Sequence, residues 1–460
     1  MNLRNETEEI VLSRIRPKKE EIENICAVAD MLLNAVNESG TAKGMVVGSV
    51  ARNTWVSGDR DIDVFMLYPP ELPRQALEEQ GLILGRSIAS RFGGQYVEKY
   101  AEHPYVNTTI SGYDVDLVPC YAVTDAARIQ SAVDRTPFHA RYIQSHIGGL
   151  EDDVLLMKQF SKAGGVYGSD LMTEGFAGYL CELLVLTYGG FRPLIEAGRF
   201  WQTGQTIDIA GHQGKEFEDP LIVIDPVDPN RNVAASVSPA KMGEFIELCR
   251  GYAEAPSMEY FFHPAKKGIT QKEFEQILTE RGTGFYCVRF QTPNQIPDIV
   301  VPQLRRSVAG IAGLLERHGF VVNRYDTAMG DNHCYLFFEM LVDQLPFLHK
   351  HTGPPVDNGV NAEKFRDKYL GQDVFSGPFI DESGRYAVEV MRKWLTVYDL
   401  LTSDDIFTAK LGKHVVKTMK KEWSVGKGAD CWDEACADFI SGFFHKVSSA
   451  GALKRQNKMP

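Results

Sequence analysis

No C-x-x-C pair occurs among the eight cysteines, Cys26, Cys120, Cys181, Cys249, Cys287, Cys334, Cys431 and Cys436. That absence removes zinc-ribbon and thioredoxin-type chemistry. Several of these thiols sit in apolar runs, as Cys181 does in Gly-Tyr-Leu-Cys-Glu-Leu-Leu-Val-Leu. They are expected to be buried and reduced, as in a cytoplasmic protein. No run of apolar residues reaches membrane-spanning length, so no span is expected. The opening residues Met-Asn-Leu-Arg-Asn-Glu-Thr-Glu-Glu are too charged to read as a signal peptide. Internal repeats and low-complexity tracts are missing as well. There is also no excess of positive charge: 49 Lys and Arg stand against 61 Asp and Glu, a net charge of −12. Taken alone, this counts weakly against a nucleic-acid partner, because phosphate binding draws on Lys and Arg. A global sum conceals local patches, however, and an enzyme that gathers carboxylates around metal looks acidic even when another face is basic.

The 44% hydrophobic and 24% charged fractions are ordinary for a globular chain, and the length suggests about three domains. Residues 4–38 read as helix interrupted at Pro17, with Ile22, Ile25, Cys26, Ala29, Leu32, Leu33 and Val36 at helical spacing. Met45-Val46-Val47 is a short strand that runs into Gly48-Ser49. Asp61-Ile62-Asp63-Val64-Phe65-Met66-Leu67 and Tyr113-Asp114-Val115-Asp116-Leu117-Val118 alternate polar and apolar residues, as strands with one buried face do. A helix over 71–92 lies between them. Residues 1–150 thus form a mixed α+β unit. Residues 151–255 are helical at both ends, with a strand at Leu221-Ile222-Val223-Ile224. Residues 256–460 form a third region. Within it, a helix over 302–318, with Pro302 near its start and Gly319 just past its end, and strands at 320–322 and 334–338 suggest a small α/β subdomain spanning 285–340.

The chemistry concentrates in the first unit. Two Asp separated by one residue on a strand point to the same face, which is what Asp61-x-Asp63 supplies, while Ile62 and Val64 point to the other. A neighbouring strand offers Asp114-x-Asp116. Carboxylates gathered this way can bridge two hard divalent cations for phosphoryl-type transfer. A bare Asp-x-Asp pair is more often a solvated strand face. Its context raises it: Gly48-Ser49 ends a strand about a dozen residues upstream, and a small pair there lets backbone N–H groups approach a phosphate. The Ser49 hydroxyl and Arg52 add a donor and a cation for a triphosphate.

Beyond these residues the sequence resembles a known family. Gly48-Ser49-Val50-Ala51-Arg52-Asn53-Thr54-Trp55, followed by Asp61-Ile62-Asp63-Val64-Phe65, is similar to the archaeal-type (class I) CCA-adding enzymes, tRNA nucleotidyltransferases. The likeness continues through Tyr100–Val106, Asp116–Tyr121, Ser131–His139, Gly175–Leu184, Asp225–Asp228 and Arg231–Ala235. It implies an α+β multidomain fold: a nucleotidyltransferase (polymerase beta-like) head with a mixed sheet in 1–150, a helical central nucleotide- and base-recognition domain in 151–255, and an α/β body with a small α/β tail, tRNA-binding, in 256–460. It implies addition of C, C and A to tRNA from CTP and ATP with release of pyrophosphate, aided by two Mg²⁺ ions. Carried over residue by residue, Asp61, Asp63 and Asp116 resemble the metal ligands, Asp116 also suiting activation of the RNA 3′-hydroxyl. Ser49 and Arg52 match triphosphate contacts. His139, Lys158 and Tyr167 match residues holding sugar and phosphates, and Arg231 matches the arginine that reads the incoming base. A guanidinium can donate to the N3/O2 edge of cytosine or to N1 of adenine, so switching between them would fall to the growing RNA end reshaping the pocket. Two departures stand out: Asp61 where Glu is common, one methylene shorter, and Val50 where an aromatic is common.

Other positions carry weaker expectations. Glu102-His103 could face a bound nucleotide or serve only a loop. Asp114 reads as a solvated partner of Asp116. Lys410, Lys413, Lys417 and Lys420 share a helical face with Lys421 beside them, and Asp404 and Asp405 fit that helix's first turn. With Lys446, Lys454, Arg455, Lys458, Arg305 and Arg306 they form the candidate contacts to RNA, set against a plainer reading as a solvated lysine face. A cytoplasmic location is expected, and a homodimer is compatible with the sequence. The competing readings are another RNA 3′-end polymerase, of poly(A) or oligoadenylate type, and a catalytically dead RNA-binding scaffold.

Overall fold

The computed structural model describes residues 4–100, 102–262, 268–448 and 450–451. Its chain divides into two compact units, Met1–Pro264 with Val447–Pro460, and Ala265–Lys446. Ala101, Lys454, Arg455 and Lys458 lie outside the described residues.

In the first unit, helix α1 (Glu6–Ile15) opens with a capping box: the Asn5 side chain accepts from the Glu8 N–H at 2.7 Å and the Asn5 N–H donates to Glu8 at 3.0 Å. Pro17 separates it from α2 (Lys19–Glu38), which buries Ile25, Ala29, Leu32, Ala35 and Val36 at three- and four-residue spacing. There follow β1 (Lys43–Val47), a one-turn α3 (Gly48–Arg52), β2 (Asp61–Tyr68), α4 (Arg74–Arg91), β3 (Tyr96–Tyr100), β4 (Pro104–Ile110) and β5 (Tyr113–Tyr121). The sheet order is β1-β2-β5-β4-β3. Only β2 and β5 run parallel, and their register sets Asp61 opposite Asp114 and Asp63 opposite Asp116. Ile62, Val64 and Met66 point to the other face, into the core shared with α2 and α4.

The helices α5 (Thr136–His146), α6 (Glu151–Ala163), α7 (Gly178–Tyr188) and α8 (Phe191–Gly198) follow. Then come β6 (Gln205–Ile207), β7 (Leu221–Asp225) and β8 (Asp228–Asn232), a three-stranded sheet in the order β6-β7-β8, and α9 (Pro239–Glu254). The largest apolar core lies here, around Phe160, Phe176, Phe191 and Phe245. Helix α1 belongs to it: Val11, Leu12 and Ile15 are buried in this cluster and not among the residues packed on the sheet. Arg4 binds Asp152 at 2.9 Å and Asp153 at 2.6 Å, and Arg16 binds Asp152 at 2.8 Å, fixing both ends of α1 to the start of α6.

In the second unit, α10 (Gln271–Arg281), β9 (Gly284–Gln291), α11 (Pro297–Arg317), β10 (Val321–Met329) and β11 (His333–Val342) give the expected strand–helix–strand–strand order. The helix starts five residues before the expected boundary. Pro297 occupies its first turn, where no N–H is needed, and Pro302 is tolerated inside it at the loss of one backbone bond. Gly319 follows the end with φ +97. Next come β12 (Leu348–Pro355), α12 (Gly359–Leu370), β13 (Ser376–Ile380) and β14 (Arg385–Met391), a separate sheet in the order β12-β14-β13. The chain returns through α13 (Val397–Thr402), α14 (Lys413–Met419), β15 (Ser424–Lys427) and α15 (Ala437–Phe444), with β15 pairing at the edge of β10-β11-β9-β15.

The lysine face is interrupted. Helix α14 spans only Lys413–Met419, Lys410 precedes it and Lys420 caps it. Asp404 and Asp405 lie in a separate 3₁₀ turn, where Asp405 accepts from Lys393 at 2.5 Å and from the Trp394 indole at 2.9 Å. Lys446 lies 3.4 Å from Asp326. The cysteines are free and buried, except Cys26, which is exposed on α2.

Glu339 on β11 has no exposed side-chain surface and accepts from Arg281, from Arg324 at 2.7 Å, from Asn323 at 2.7 Å and from Thr283 at 2.8 Å. Burial alone would raise its pKa, but the two guanidinium groups and the polar donors outweigh that and hold it at about 2. A carboxyl depressed in the folded state contributes stability above its unfolded pKa and loses it as pH falls through the folded value. Glu339→Gln is therefore expected to cost about 3 kcal/mol at pH 7 by leaving two arginines without their anion. In thermal unfolding followed against pH, the gap between variant and parent narrows from about pH 4.5 down to about 2.

Candidate active site

The alternation of β2 and β5 brings Asp61, Asp63, Asp114 and Asp116 to one sheet face in two in-register pairs. From the next strand, Asn107 stands opposite Asp116 and donates to Asp114 at 2.6 Å and to Asp116 at 2.7 Å. Crowding like charges in a partly buried place disfavours ionisation. Burial, then Asp116, raises Asp63 to about 6. Burial, then Asp59 and Asp114, raises Asp61, and burial raises Asp116 against the Asn107 hydrogen bond.

Gly48 explains the glycine upstream. It sits at φ +69, and a Cβ there would overlap the Asp63 carboxylate. The chain turns at Gly48 into α3, whose end is closed by Asn53 in the left-handed region (φ 53). Ser49 and Arg52 thereby face the carboxylates across a cleft of about 350 Å³, which Lys158, Tyr167 and Gly178 also line.

The two cations of this cleft are anchored from behind by one carboxylate. Glu182 lies with no exposed surface inside the apolar helix α7. The Arg52 Nε donates to it at 3.0 Å, the Thr54 hydroxyl donates to it at 2.5 Å, and the Lys158 ammonium lies 3.6 Å away. Lys158 also donates to the Thr54 carbonyl at 2.6 Å. Burial lowers the Lys158 pKa while Glu182 opposes that. Two cations against one anion leave a positive surplus on this wall, beside the N-terminal end of α7 at Gly178, both suited to anionic oxygens. Burial keeps the Tyr167 hydroxyl protonated.

A second cavity of about 380 Å³ shares Gly48, Arg52, Asp63 and Asp116 with the first, and adds His139, Tyr179 and Arg231. His139 donates through Nε2 to Asp225 at 2.8 Å, and Arg231 donates to the same carboxylate at 2.7 Å. Asp61, Asp63, Asp116, Ser49, Arg52, Lys158, Tyr167, His139 and Arg231 therefore all lie on the wall of one of two adjoining cavities. Glu102 and His103 line neither. His103 is buried, with Nδ1 3.5 Å from Glu78, and Glu102 lies 3.7 Å from Arg74.

Sequence reasoning missed Asn107, Thr54, Glu182, Tyr179 and the role of Asp225. Glu182 and Asp225 left a signal: each is a single acid in an otherwise apolar run, Leu-Cys-Glu-Leu-Leu and Leu-Ile-Val-Ile-Asp. A charge in such a run must find a partner.

Among the described residues no three His, Cys, Asp or Glu side chains form a ready-made metal cluster. The donor chemistry nonetheless fits a hard divalent cation: oxygen ligands only, on one face, their pKa values raised by burial and then by neighbouring carboxylates, both of which a dication would offset.

Three family models match the chain: a nucleotidyltransferase domain over residues 30–139, a tRNA nucleotidyltransferase second domain over 152–262, and a CCA-adding enzyme C-terminal domain over 281–428. The mixed-sheet head is that of a nucleotidyltransferase, a class that generally works with divalent metal ions. The CCA-adding enzyme of Methanoregula boonei is 54% identical over 97% of both chains. That of Methanosarcina barkeri is 41% identical over 91% of this chain and 93% of the relative, and that of Halobacterium salinarum 44% over 83% and 84%. The chain belongs to the CCA-adding enzymes, a family of tRNA nucleotidyltransferases whose substrates are tRNA and nucleotides. A solved poly(U) polymerase, Cid1, is a remote neighbour at 14% identity and a TM-score of 0.45, covering 56% of this chain and 98% of that one. No helix among the described residues is long and apolar enough to cross a membrane.

Gly48→Ala is expected to push Asp63 aside and reduce nucleotide incorporation on the order of 10²-fold, the cost of about 1 Å of misplacement at a reacting centre. Unaltered incorporation rates in a primer-extension assay would show that Asp63 does not need that contact.

Proposed function

We propose that this chain adds and repairs the 3′-terminal CCA of tRNA without a nucleic-acid template, using CTP and ATP and releasing pyrophosphate. The observation that carries the reading is the parallel register of β2 and β5, which presents Asp61 and Asp63 beside Asp116 on the wall that Ser49, Arg52 and Lys158 face. Asp61, Asp63 and Asp116 would hold two Mg²⁺ ions, which supply charge neutralisation at the transferring phosphorus and at the attacking and leaving oxygens. Asp116 takes the proton of the RNA 3′-hydroxyl in this reading. Ser49, Arg52, Lys158 and Tyr167 bind the triphosphate and orient its leaving pyrophosphate. His139 holds the sugar, and Arg231 presents guanidinium donors to cytosine or adenine.

In this reading the chain comprises a catalytic head in 1–150, a nucleotide- and base-recognition domain in 151–255 and a tRNA-binding body and tail in 256–460, and tRNA as substrate places its work in the cytoplasm. The raised Asp63 pKa favours this over a dead scaffold: carboxylates crowded at a cost in stability are what a working metal site retains.

Asp61→Ala and Asp63→Ala are each expected to reduce incorporation by at least roughly 10³-fold while leaving tRNA affinity, read by filter binding, nearly unchanged. With tRNA lacking its 3′ end, CTP alone should be incorporated twice, and ATP only afterwards. Incorporation of ATP with none of CTP would instead assign the chain to the poly(A)-type polymerases.

A further inference from the structure

Asp225 ends the apolar strand β7 with no exposed surface. Each of its carboxylate oxygens accepts two hydrogen bonds. Oδ2 takes His139 Nε2 at 2.8 Å and Arg231 Nη1 at 2.7 Å. Oδ1 takes the Val227 backbone N–H at 3.1 Å and the Tyr179 hydroxyl at 3.2 Å. Tyr179 in turn stacks on His139, with ring centroids 4.1 Å apart and 22° between the planes. Four donors leave no room for a proton, so Asp225 is a buried anion. It is not among the residues lining either cavity, whereas His139 and Arg231 are. Whatever Asp225 does there passes through those two side chains.

We propose that Asp225 is a positioning residue that couples base and sugar recognition, holding Arg231 and the tautomer of His139 through a single oxygen. The inference rests on the nucleotide reading of His139 and Arg231 given above. A carboxylate oxygen can only accept, so His139 must carry its hydrogen on Nε2, and the neutral ring keeps Nδ1 as a bare acceptor. A bare acceptor suits a sugar hydroxyl and gains nothing from a deoxy sugar. Arg231, pinned through Nη1, keeps its other N–H groups for the acceptor edge of a base. A turn at Asp225–Asp228 would be served by the Oδ1 contacts alone. The Oδ2 pair is what burying the charge adds.

The test is Asp225→Asn in the full-length chain. Asparagine removes the negative charge from the bonds of both His139 and Arg231 whichever way its amide faces, and its single carbonyl also leaves one of the two donor pairs without an acceptor. With tRNA lacking its 3′ end, kcat and KM are measured for CTP, UTP and 2′-deoxy-CTP, alongside Arg231→Ala and His139→Ala. The expected result is roughly a tenfold fall in both the CTP-over-UTP and the ribose-over-deoxyribose ratios of kcat/KM, the value of one charge-assisted hydrogen bond. Both ratios are independent of how much enzyme is folded, so a loss of stability does not imitate the result. If Arg231→Ala lowers the first ratio and His139→Ala the second, while Asp225→Asn changes neither, the coupling role of Asp225 is overturned and the nucleotide reading stands. If none of the three changes either ratio, that reading falls and this inference with it.

Discussion

Repulsion among carboxylates on a parallel strand pair is the constraint around which the head is arranged. Asp61 and Asp63 cannot be moved apart from Asp114 and Asp116 without breaking the β2–β5 register, and that register is set by the apolar residues of the opposite face. The surroundings answer the repulsion locally. Asn107 spends both amide hydrogens on Asp114 and Asp116. Arg52 lies near enough to Asp63 to oppose its rise in pKa while its Nε is committed to Glu182. Gly48 yields the space that any side chain would take from Asp63. A metal-dependent reaction is the economical reason for retaining such an arrangement, because the same carboxylates that repel one another become mutually supportive around a dication.

The supporting layer behind the cleft follows one logic in two places. Glu182 gathers Arg52, Thr54 and Lys158, and Asp225 gathers His139, Arg231 and Tyr179. In each case a fully buried anion, placed by an apolar helix or strand, converts long flexible side chains into fixed ones. Preorganisation of this kind lets charged groups act in a cleft without reorganising when charge develops.

Much of this was legible in the sequence because strand alternation and cap residues are local signals. Asp61 with Asp63, and Asp114 with Asp116, could each be placed on one strand face from parity alone, Asp116 being singled out by resemblance, and the breaks at Pro17 and Gly48 followed from backbone chemistry. Whatever depended on distant partners was not legible. Nothing local says that Glu182 meets Arg52, 130 residues earlier in the chain, or that Asn107 bridges two aspartates. The helix around Pro302 began earlier than expected because a second proline, Pro297, is the better opening residue. The lysine face is shorter than expected because the helix starts only at Lys413, leaving Lys410 outside it, and Asp405, in a separate turn, accepts from Lys393 and Trp394 and caps nothing in α14. The substrate, finally, came from resemblance and the relatives and not from physics: carboxylates argue a reaction, and no single residue here spells tRNA.

The first helix has a consequence for how the molecule is made. Its apolar residues Val11, Leu12 and Ile15 are partnered by a core drawn mainly from residues 143–261, with Val56 and Ala450, and the flanking Arg4 and Arg16 by Asp152 and Asp153. A chain leaving the ribosome therefore releases α1 long before its docking site exists. The sheet and α2 can assemble once β5 has emerged, while α1 waits with a hydrophobic stripe uncovered until some hundred further residues are synthesised. The capping box at Asn5 and Glu8 and the acidic first turn are local and require no partner. They bias the waiting segment toward helix, and docking on the core supplies the packing that a helix of ten residues lacks by itself.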